Sequence, residues 1–131
     1  MEEIAVTSKK KAEAVDITEE IEKVVEKNKW REGILFIYLP HCTAALFINE
    51  FEPNIKEDYE KYFTELEKTD WKHNEIDDNA AAHIGNAVMG EQKFVFVQGG
   101  KLILGTWQRI ILMELDGPRR RRILLKFVSV N

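Results

Sequence analysis

The feature that most constrains the fold is a change of hydrophobic pattern at Lys93, after which the chain reads as consecutive strands with a period of two. The strand-like segments fall at residues 94–97, 102–104, 107–115 and 123–130. Gly99-Gly100 separates the first two and favours a tight hairpin turn with positive φ angles. Asp116-Gly117-Pro118 separates the last two and is a strong turn signal. We therefore expect the last third of the chain to form antiparallel strands.

Helical periodicity is confined to the first two-thirds of the chain. One apolar stripe starts after Asp16, which with Glu19 predicts a reciprocal capping box at a helix start. A second stripe predicts an amphipathic helix over about residues 54–67, capped by Asn54. A shorter helix is expected from Asn79 as N-cap to Gly90. Helices followed by unbroken strands indicate an α+β fold: an antiparallel β-sandwich-like sheet with two to three helices.

Composition narrows the class of protein. The chain has 131 residues, 44% of them apolar, which predicts one domain over residues 1–131. A single cysteine, Cys42, excludes an internal disulfide and favours a reducing compartment, so we expect a cytoplasmic protein. No segment approaches the ~20 consecutive apolar residues that cross a bilayer, so no membrane partner is expected. The net charge of −4 argues against a nucleic-acid partner, although residues 118–131 are basic.

Two short apolar segments, residues 33–39 and 44–48, predict buried strands on either side of Pro40-His41-Cys42-Thr43. Pro40 cannot donate a ladder hydrogen bond and biases the preceding residue to an extended conformation. His41 is therefore expected at the end of a buried strand. Adjacent residues of an extended chain point to opposite sides, so a direct nucleophilic pair between His41 and Cys42 is not expected.

The chain contains three histidines, His41, His73 and His83, each beside polar or turn-forming residues. Imidazole is the commonest transition-metal ligand and titrates near neutrality, so three imidazoles brought together could bind zinc or relay protons. Their spacing matches no compact motif, and the alternative is that each is a hydrogen-bonded loop or surface residue. Asp77 and Asp78, between His73 and His83, could hold Mg²⁺ or could complement a helix dipole.

Other candidate residues also have two interpretations. Glu50 follows a predicted strand and could act as a general base or be a solvated turn residue. The run from Arg119 to Arg122 could present guanidinium groups to a phosphate, or could form ion pairs within an acidic protein. Trp107 follows a glycine that interrupts a strand, and its indole could stack on a flat ring or belong to the core.

Several segments together resemble the YjbQ-like family, also called the secondary thiamine-phosphate synthase family. The resemblance is carried, in this order, by residues 41–50 (His-Cys-Thr-Ala-Ala-Leu-Phe-Ile-Asn-Glu), His73-Asn74, Asp78-Asn79-Ala80, Ala82-His83-Ile84, Gly90, Gly100-Lys101-Leu102, Gly105-Thr106-Trp107-Gln108 and Asp116-Gly117-Pro118-Arg119. It runs from about residue 5 to the end. Two positions depart from the family pattern: Cys42 replaces a more usual hydroxyl residue, and Ala81 stands where some members have another histidine.

The resemblance implies a single YjbQ-like domain, a homotrimer, and a pocket near the subunit contacts that contains the three histidines. It also implies weak synthase activity, which joins a hydroxymethylpyrimidine pyrophosphate to a thiazole phosphate. The residues expected at this site are His41, His73, His83 and Glu50 for catalysis; the same three histidines for a divalent metal, Zn²⁺ or Mg²⁺; and Thr43, Asn49, Trp107, Gln108, Arg119 and Arg121 for the substrate. The competing hypothesis is a noncatalytic trimer that binds a metal or a phosphorylated metabolite, and the third is a structural scaffold.

Overall fold

Continuous apolar segments and alternating segments both form strands, and these strands pair into two antiparallel sheets in the computed structural model, which describes residues 1–130. The elements are β1 (Glu2–Thr7), β2 (Glu13–Asp16), α1 (Thr18–Lys27), β3 (Gly33–Tyr38), β4 (Ala44–Asn49), α2 (Pro53–Leu66), a 3₁₀ turn (Lys72–Glu75), α3 (Ala80–Met89), β5 (Gln92–Gln98), β6 (Lys101–Leu102), β7 (Arg109–Glu114) and β8 (Arg120–Ser129). The predicted α+β class, an antiparallel sandwich-like sheet with two to three helices, is confirmed, and the described residues form three α-helices.

The larger sheet has the strand order β1-β8-β3-β5-β6, and the smaller sheet has the order β2-β7-β4. All pairs are antiparallel; in the larger sheet, for example, Phe36 lies between Phe94 and Lys126. Strands β3 and β4 are consecutive in sequence but belong to different sheets. The loop of residues 39–43 therefore crosses from one sheet to the other, and it carries His41 to an end of the sandwich.

The core lies between the two sheets. Leu35 and Ile37 of β3 face Leu46 of β4 and Leu112 of β7, and all four are fully buried. Helix α1 contributes Ile21 and Val25 to the same cluster, and Ile17, the residue before the helix, belongs to it too. Burial of each such side chain contributes roughly 1.5–3 kcal/mol. This cluster is the largest apolar contact that joins the two sheets.

Helices α2 and α3 cover the other face of the smaller sheet. Ile111 and Met113 of β7 are buried there against Phe63 of α2 and Ala82 of α3. The sandwich is thus covered by helices on one outer side, whereas aromatic residues of β3 and β5 stay exposed on the outer face of the larger sheet. None of the helices formed by residues 1–130 has both the length and the apolar character that a membrane crossing requires.

Two predicted helix caps are wrong, and the reason is local. Glu52 caps α2, because its carboxylate accepts the backbone N–H groups of Asn54 and Ile55 at 2.8 and 2.6 Å, and Pro53 occupies the first turn. Asn54, the predicted cap, lies inside the helix. Helix α1 starts one residue later than a cap at Asp16 requires, because Asp16 ends β2 and its carboxylate accepts from Thr18.

The predicted hairpin is confirmed, with β5 and β6 paired and with φ angles of 60° at Gly99 and 78° at Gly100. The last two strands are shifted relative to the prediction. Strand β7 begins at Arg109, two residues later than expected. Strand β8 begins at Arg120, three residues earlier, because the arginines there pair with β1.

Candidate functional site

Three loops meet at the end of the sandwich that contains His41. Ala44, the first residue of β4, pairs with Glu114, the last residue of β7, and the N–H of Leu115 donates to the carbonyl of Thr43 at 3.3 Å. The turn at residues 116–119 therefore lies beside the His41 loop. The start of α3 joins them, because the amide of Asn79 donates to the carboxylate of Asp116 at 3.2 Å.

A chain of side-chain hydrogen bonds connects His73 to Arg119. His73 Nε2 lies 3.0 Å from Asn79 Oδ1, and the Asn79 amide nitrogen in turn contacts Asp116 Oδ2. The same Asp116 oxygen is 3.2 Å from Arg119 Nη2, and Arg119 Nε donates to the Asp116 carbonyl at 2.8 Å. One imidazole and one exposed guanidinium are thus held in a defined arrangement by an asparagine and an aspartate that the sequence had marked only as a helix cap and a turn residue.

His83 lies next to His73. The two ring centroids are 4.9 Å apart and the rings are inclined by 76°. One turn further along α3, the Asn86 amide donates to the carbonyls of His41 and Ala44 at 3.2 and 2.8 Å. The helix that carries His83 is therefore fixed directly to the loop that carries His41. Asn86 was not identified from sequence, since an asparagine in a helix gives no sign of its distant partner.

His41 is half-buried, and its Nε2 accepts the backbone N–H of Arg122 at 3.0 Å. Burial lowers the pKa of His41, and the positive charge of Arg121 lowers that pKa further. The carboxylate of Glu114 opposes the shift, and Arg122 and Arg119 add to it. The net effect is a pKa below the ordinary histidine value, so His41 is neutral at neutral pH.

A buried ion pair lies beneath this surface. Arg121 is 3% exposed, and its guanidinium contacts both carboxylate oxygens of Glu114. It also donates to the carbonyl and hydroxyl of Thr43 at 2.9 and 3.0 Å. Burial raises the pKa of Glu114, but hydrogen bonds from Arg121, from the Asp116 N–H and from Ser8 outweigh burial and lower it overall.

The four consecutive arginines have different environments. Arg121 is buried in the ion pair just described, and Arg122 pairs with Glu3 at 2.9 Å on the exposed side. The ion-pair interpretation is thus realised at both positions. The side chain of Arg119 is 55% exposed, so its guanidinium can reach an anion while it contacts Asp116. Its predicted role in binding substrate stays a prediction, as do those of Arg121 and Thr43, whose polar groups already bond to one another.

Four of the predicted site residues lie at the opposite end of the smaller sheet. Asn49 pairs with Arg109, five residues along β4 from Ala44, which at the strand rise corresponds to about 17 Å. Trp107 and Gln108 precede Arg109, and Glu50 follows Asn49. Within one chain these residues do not join the histidines. The interpretation of Trp107 as a core residue is wrong, since its side chain is 72% exposed.

The predicted acidic and metal-binding residues do not come together as one metal site in a single chain. Asp77 and Asp78 are exposed, and it is Asn74 that accepts the first N–H of α3, from Ala80 at 3.0 Å. In the part of the chain from residue 1 to residue 130, no group of three or more His, Cys, Asp or Glu side chains is arranged to hold a metal ion. His41 directs Nε2 to a backbone N–H, and the positive charges of Arg119, Arg121 and Arg122 act on its ring. These residues do not fit a three-histidine metal site in the single chain, and metal binding stays a prediction.

The fold and this polar site define a class: small α+β sandwiches with histidines, an asparagine and an arginine gathered at one end. The family model described as UPF0047 protein YjbQ-like matches residues 2–130. The chain therefore belongs to the UPF0047 (YjbQ-like) family, as its motifs predicted.

Relatives and solved structures agree with this assignment. A UPF0047 protein of Archaeoglobus fulgidus is 41% identical over 126 residues, which cover 95% of this chain and 98% of the relative. The UPF0047 protein YugU of Bacillus subtilis is 36% identical over 130 residues, covering 96% and 97% of the two chains. A crystal structure of a hypothetical protein of Aeropyrum pernix K1 superposes with a TM-score of 0.94 at 39% identity, over 98% of both chains.

Proposed function

We propose that the protein is an enzyme that acts on phosphorylated small molecules and has weak thiamine-phosphate synthase activity. The observation that carries the proposal is the contact of the His73 and His83 rings, together with the hydrogen bonds through Asn79 and Asp116 that connect His73 to the exposed Arg119. Imidazoles exchange protons near neutral pH, and a guanidinium matches the oxygens of a phosphate. An acid–base pair and an anion contact are the parts that a reaction with a phosphorylated leaving group requires.

In the proposed reaction, the bond between the pyrimidine methylene carbon and the pyrophosphate oxygen breaks. The electron pair leaves with pyrophosphate, and the thiazole nitrogen forms the new carbon–nitrogen bond. Arg119 offsets the negative charge that develops on the leaving oxygen. Protonated His73 or His83 donates a proton to the released pyrophosphate. A divalent cation, Mg²⁺ or Zn²⁺, would supply further charge neutralisation when bound.

The function is tested by an assay of purified protein with both thiamine precursors, with Mg²⁺ or Zn²⁺ and with a chelator. We expect His83→Ala and Arg119→Ala each to lower the rate by about 100-fold, the lower end of the effect of a general acid or base for His83 and of a charge-stabilising donor for Arg119. Arg120→Ala is the matched control, since Arg120 is an exposed arginine one residue away. Equal rates in wild type and His83→Ala would exclude His83 from the mechanism.

The assay also distinguishes the noncatalytic alternative. A trimeric binding protein for a metal or a phosphorylated metabolite would show a rise in Tm with the precursors, and no product. In that case Arg119→Ala would lower the rise in Tm, and neither the wild type nor the variant would form product. The proposal includes a cytoplasmic location, which suits the exposed free thiol of Cys42.

We further propose that the protein assembles as a homotrimer through the outer face of the larger sheet. Phe36, Tyr38, Phe94 and Phe96 are 41–55% exposed there. Aromatic side chains bury 150–250 Å² each, so these four rings alone expose about 400 Å² of apolar surface. Ile103, Val128 and Val130 enlarge the patch. Its area exceeds half of the ~800 Å² that each partner contributes to a standard interface. In a trimer, one part of this face in each copy would pack against a different part of the same face in the next copy, around a threefold axis.

The assembly is tested by light scattering after size exclusion. We expect the wild type to have three times the monomer mass, and the double variant Phe36→Glu/Phe96→Glu to be a folded monomer, because two buried carboxylates would oppose association. Tyr62→Glu is the control, since Tyr62 is 65% exposed on α2 at the other side of the sandwich. A monomeric wild type would disprove the assembly, and a double variant that remains trimeric would disprove its location.

A further inference from the structure

The hydrogen bonds around His41 and His73 determine which ring nitrogen carries the proton in each neutral side chain. A neutral imidazole has one N–H donor and one acceptor nitrogen, and the partner of either nitrogen fixes the tautomer. His41 and His73 each have one ring nitrogen with a partner of defined role. The partner of His41 donates a hydrogen bond and the partner of His73 accepts one, so the two rings are different tautomers.

The partner of His41 is a backbone group. The N–H of Arg122 can only donate, and it points to Nε2 at 3.0 Å. Nε2 therefore carries the lone pair, and the proton of the neutral ring is on Nδ1. His41 presents an N–H donor on the side of the ring away from β8.

The partner of His73 is the side chain of Asn79, whose orientation is fixed by a third residue. Asp116 Oδ2 is an acceptor, which also receives Arg119 Nη2, so the group of Asn79 that faces it must be the NH₂. Reversing the amide would direct its oxygen at a carboxylate oxygen. Asn79 Oδ1 therefore faces His73, and His73 Nε2, 3.0 Å away, must donate.

We infer that Asp116 and Asn79 are positioning residues that hold His73 in the Nε2–H tautomer, whereas His41 is held in the Nδ1–H tautomer. His73 Nδ1 is then the nitrogen that is free to accept a proton or to bind a metal. His41 instead offers a donor to an anion, in the same region as Arg119. The catalytic meaning of this division rests on the proposed function, but the tautomers belong to the protein without substrate.

The test is a long-range ¹⁵N–¹H correlation spectrum of the ligand-free protein, which separates the two tautomers of each imidazole. Only three histidines are present, so His41→Ala, His73→Ala and His83→Ala assign every signal. We expect the Nδ1–H pattern for His41 and the Nε2–H pattern for His73, whose Nε2 proton is hydrogen-bonded to Asn79. The reverse pattern at either residue would overturn the inference for that residue.

Variants of Asn79 and Asp116 test the positioning roles. Asn79→Asp alone would set a carboxylate oxygen against Asp116 Oδ2, so the conservative control is the double variant Asn79→Asp/Asp116→Asn. It keeps an acceptor opposite His73 and a donor opposite an acceptor between the two side chains, and it should retain the exchange rate of the His73 Nε2 proton. Asn79→Ala removes the acceptor and should speed exchange of that proton about tenfold, the effect of one lost hydrogen bond. Asp116→Ala frees the amide to rotate and should act in the same direction. Unchanged exchange in Asn79→Ala would disprove the roles of both residues. Synthase activity does not enter these measurements, so its absence and the failure of the tautomer assignment are distinguishable.

Discussion

Arg121→Ala is expected to lower the free energy of unfolding by about 3–5 kcal/mol, because it leaves the carboxylate of Glu114 buried without a partner. Glu114 is fully buried, and Arg121 supplies hydrogen bonds to both of its oxygens. Removal of the guanidinium also leaves the carbonyl of Thr43 without the Arg121 donor. Ser8, which donates to Glu114 at 2.7 Å, is too small a donor to compensate for a lost positive charge.

Chemical denaturation of wild type, Arg121→Ala and Arg122→Ala measures the effect. Arg122 is the matched control, since it is the next residue on β8 and its ion pair with Glu3 is exposed. Exposed pairs contribute little to stability, so Arg122→Ala should leave the unfolding midpoint almost unchanged. Equal losses in the two variants would mean that the buried pair has no special role.

The same pair predicts how stability depends on pH. Because the net pKa of Glu114 is lowered in the folded protein, its contribution is fully present above the ordinary carboxyl pKa. That contribution is lost as the pH falls through the lowered folded-state value. Arg121→Ala removes the main stabilising partner, so the unfolding free energy of the variant should depend less on pH in the acid range than that of the wild type.

Gly117→Ala is expected to destabilise the protein by about 3 kcal/mol, the upper end of the usual cost of overpacking. An added Cβ would lie 2.6 Å from Ser8 Oγ and 2.8 Å from Glu114 Cγ, and it would collide with the carbonyl oxygen of Lys10. Lys10 O is a backbone atom and cannot rotate away. Relief of the collision must move the turn at residues 116–119, and with it Asp116 and Arg119.

Gly105→Ala provides the comparison. The nearest atom to an added Cβ there is Gln108 Oε1 at 3.3 Å, the end of a flexible side chain. We expect its Tm to stay within a few degrees of wild type, whereas Gly117→Ala should lower the Tm by more than 10 °C. A Gly117→Ala protein as stable as Gly105→Ala would show that the turn tolerates displacement, and the rigidity assigned to the site would be wrong.

The strands and the hairpin were predictable from sequence because their signals are local. The Gly99-Gly100 turn lies between two apolar segments that pair directly, so neither prediction depends on distant residues. The cap of α2 was missed for a related reason. Glu52 and Asn54 both have side chains that accept hydrogen bonds, and the choice between them depends on the backbone angles before Pro53.

The site was predictable only in part. Sequence reasoning found the histidines and Arg119 from their chemistry, but the bonds from Asn79 to Asp116 and from Asn86 to the His41 loop join residues 37 and 45 positions apart. The hydrophobic periodicity of a sequence gives no information on hydrogen bonds between such distant residues. Glu50 and Trp107 were assigned to the histidine site, yet the strands next to them end at the opposite side of the smaller sheet. An extended strand separates the residues at its two ends, whereas the match to the family motif gives no information on the distance between them.

Asp116 Oδ2 is shared between Arg119 and Asn79. An anion that drew the guanidinium of Arg119 toward itself would leave this oxygen to the amide alone and would shorten the amide contact. Anion binding to Arg119 and the hydrogen bonding of the His73 ring are therefore thermodynamically coupled. The coupling free energy is the same whichever of the two changes first. Protonation of the His73 ring would in turn alter the affinity of Arg119 for an anion.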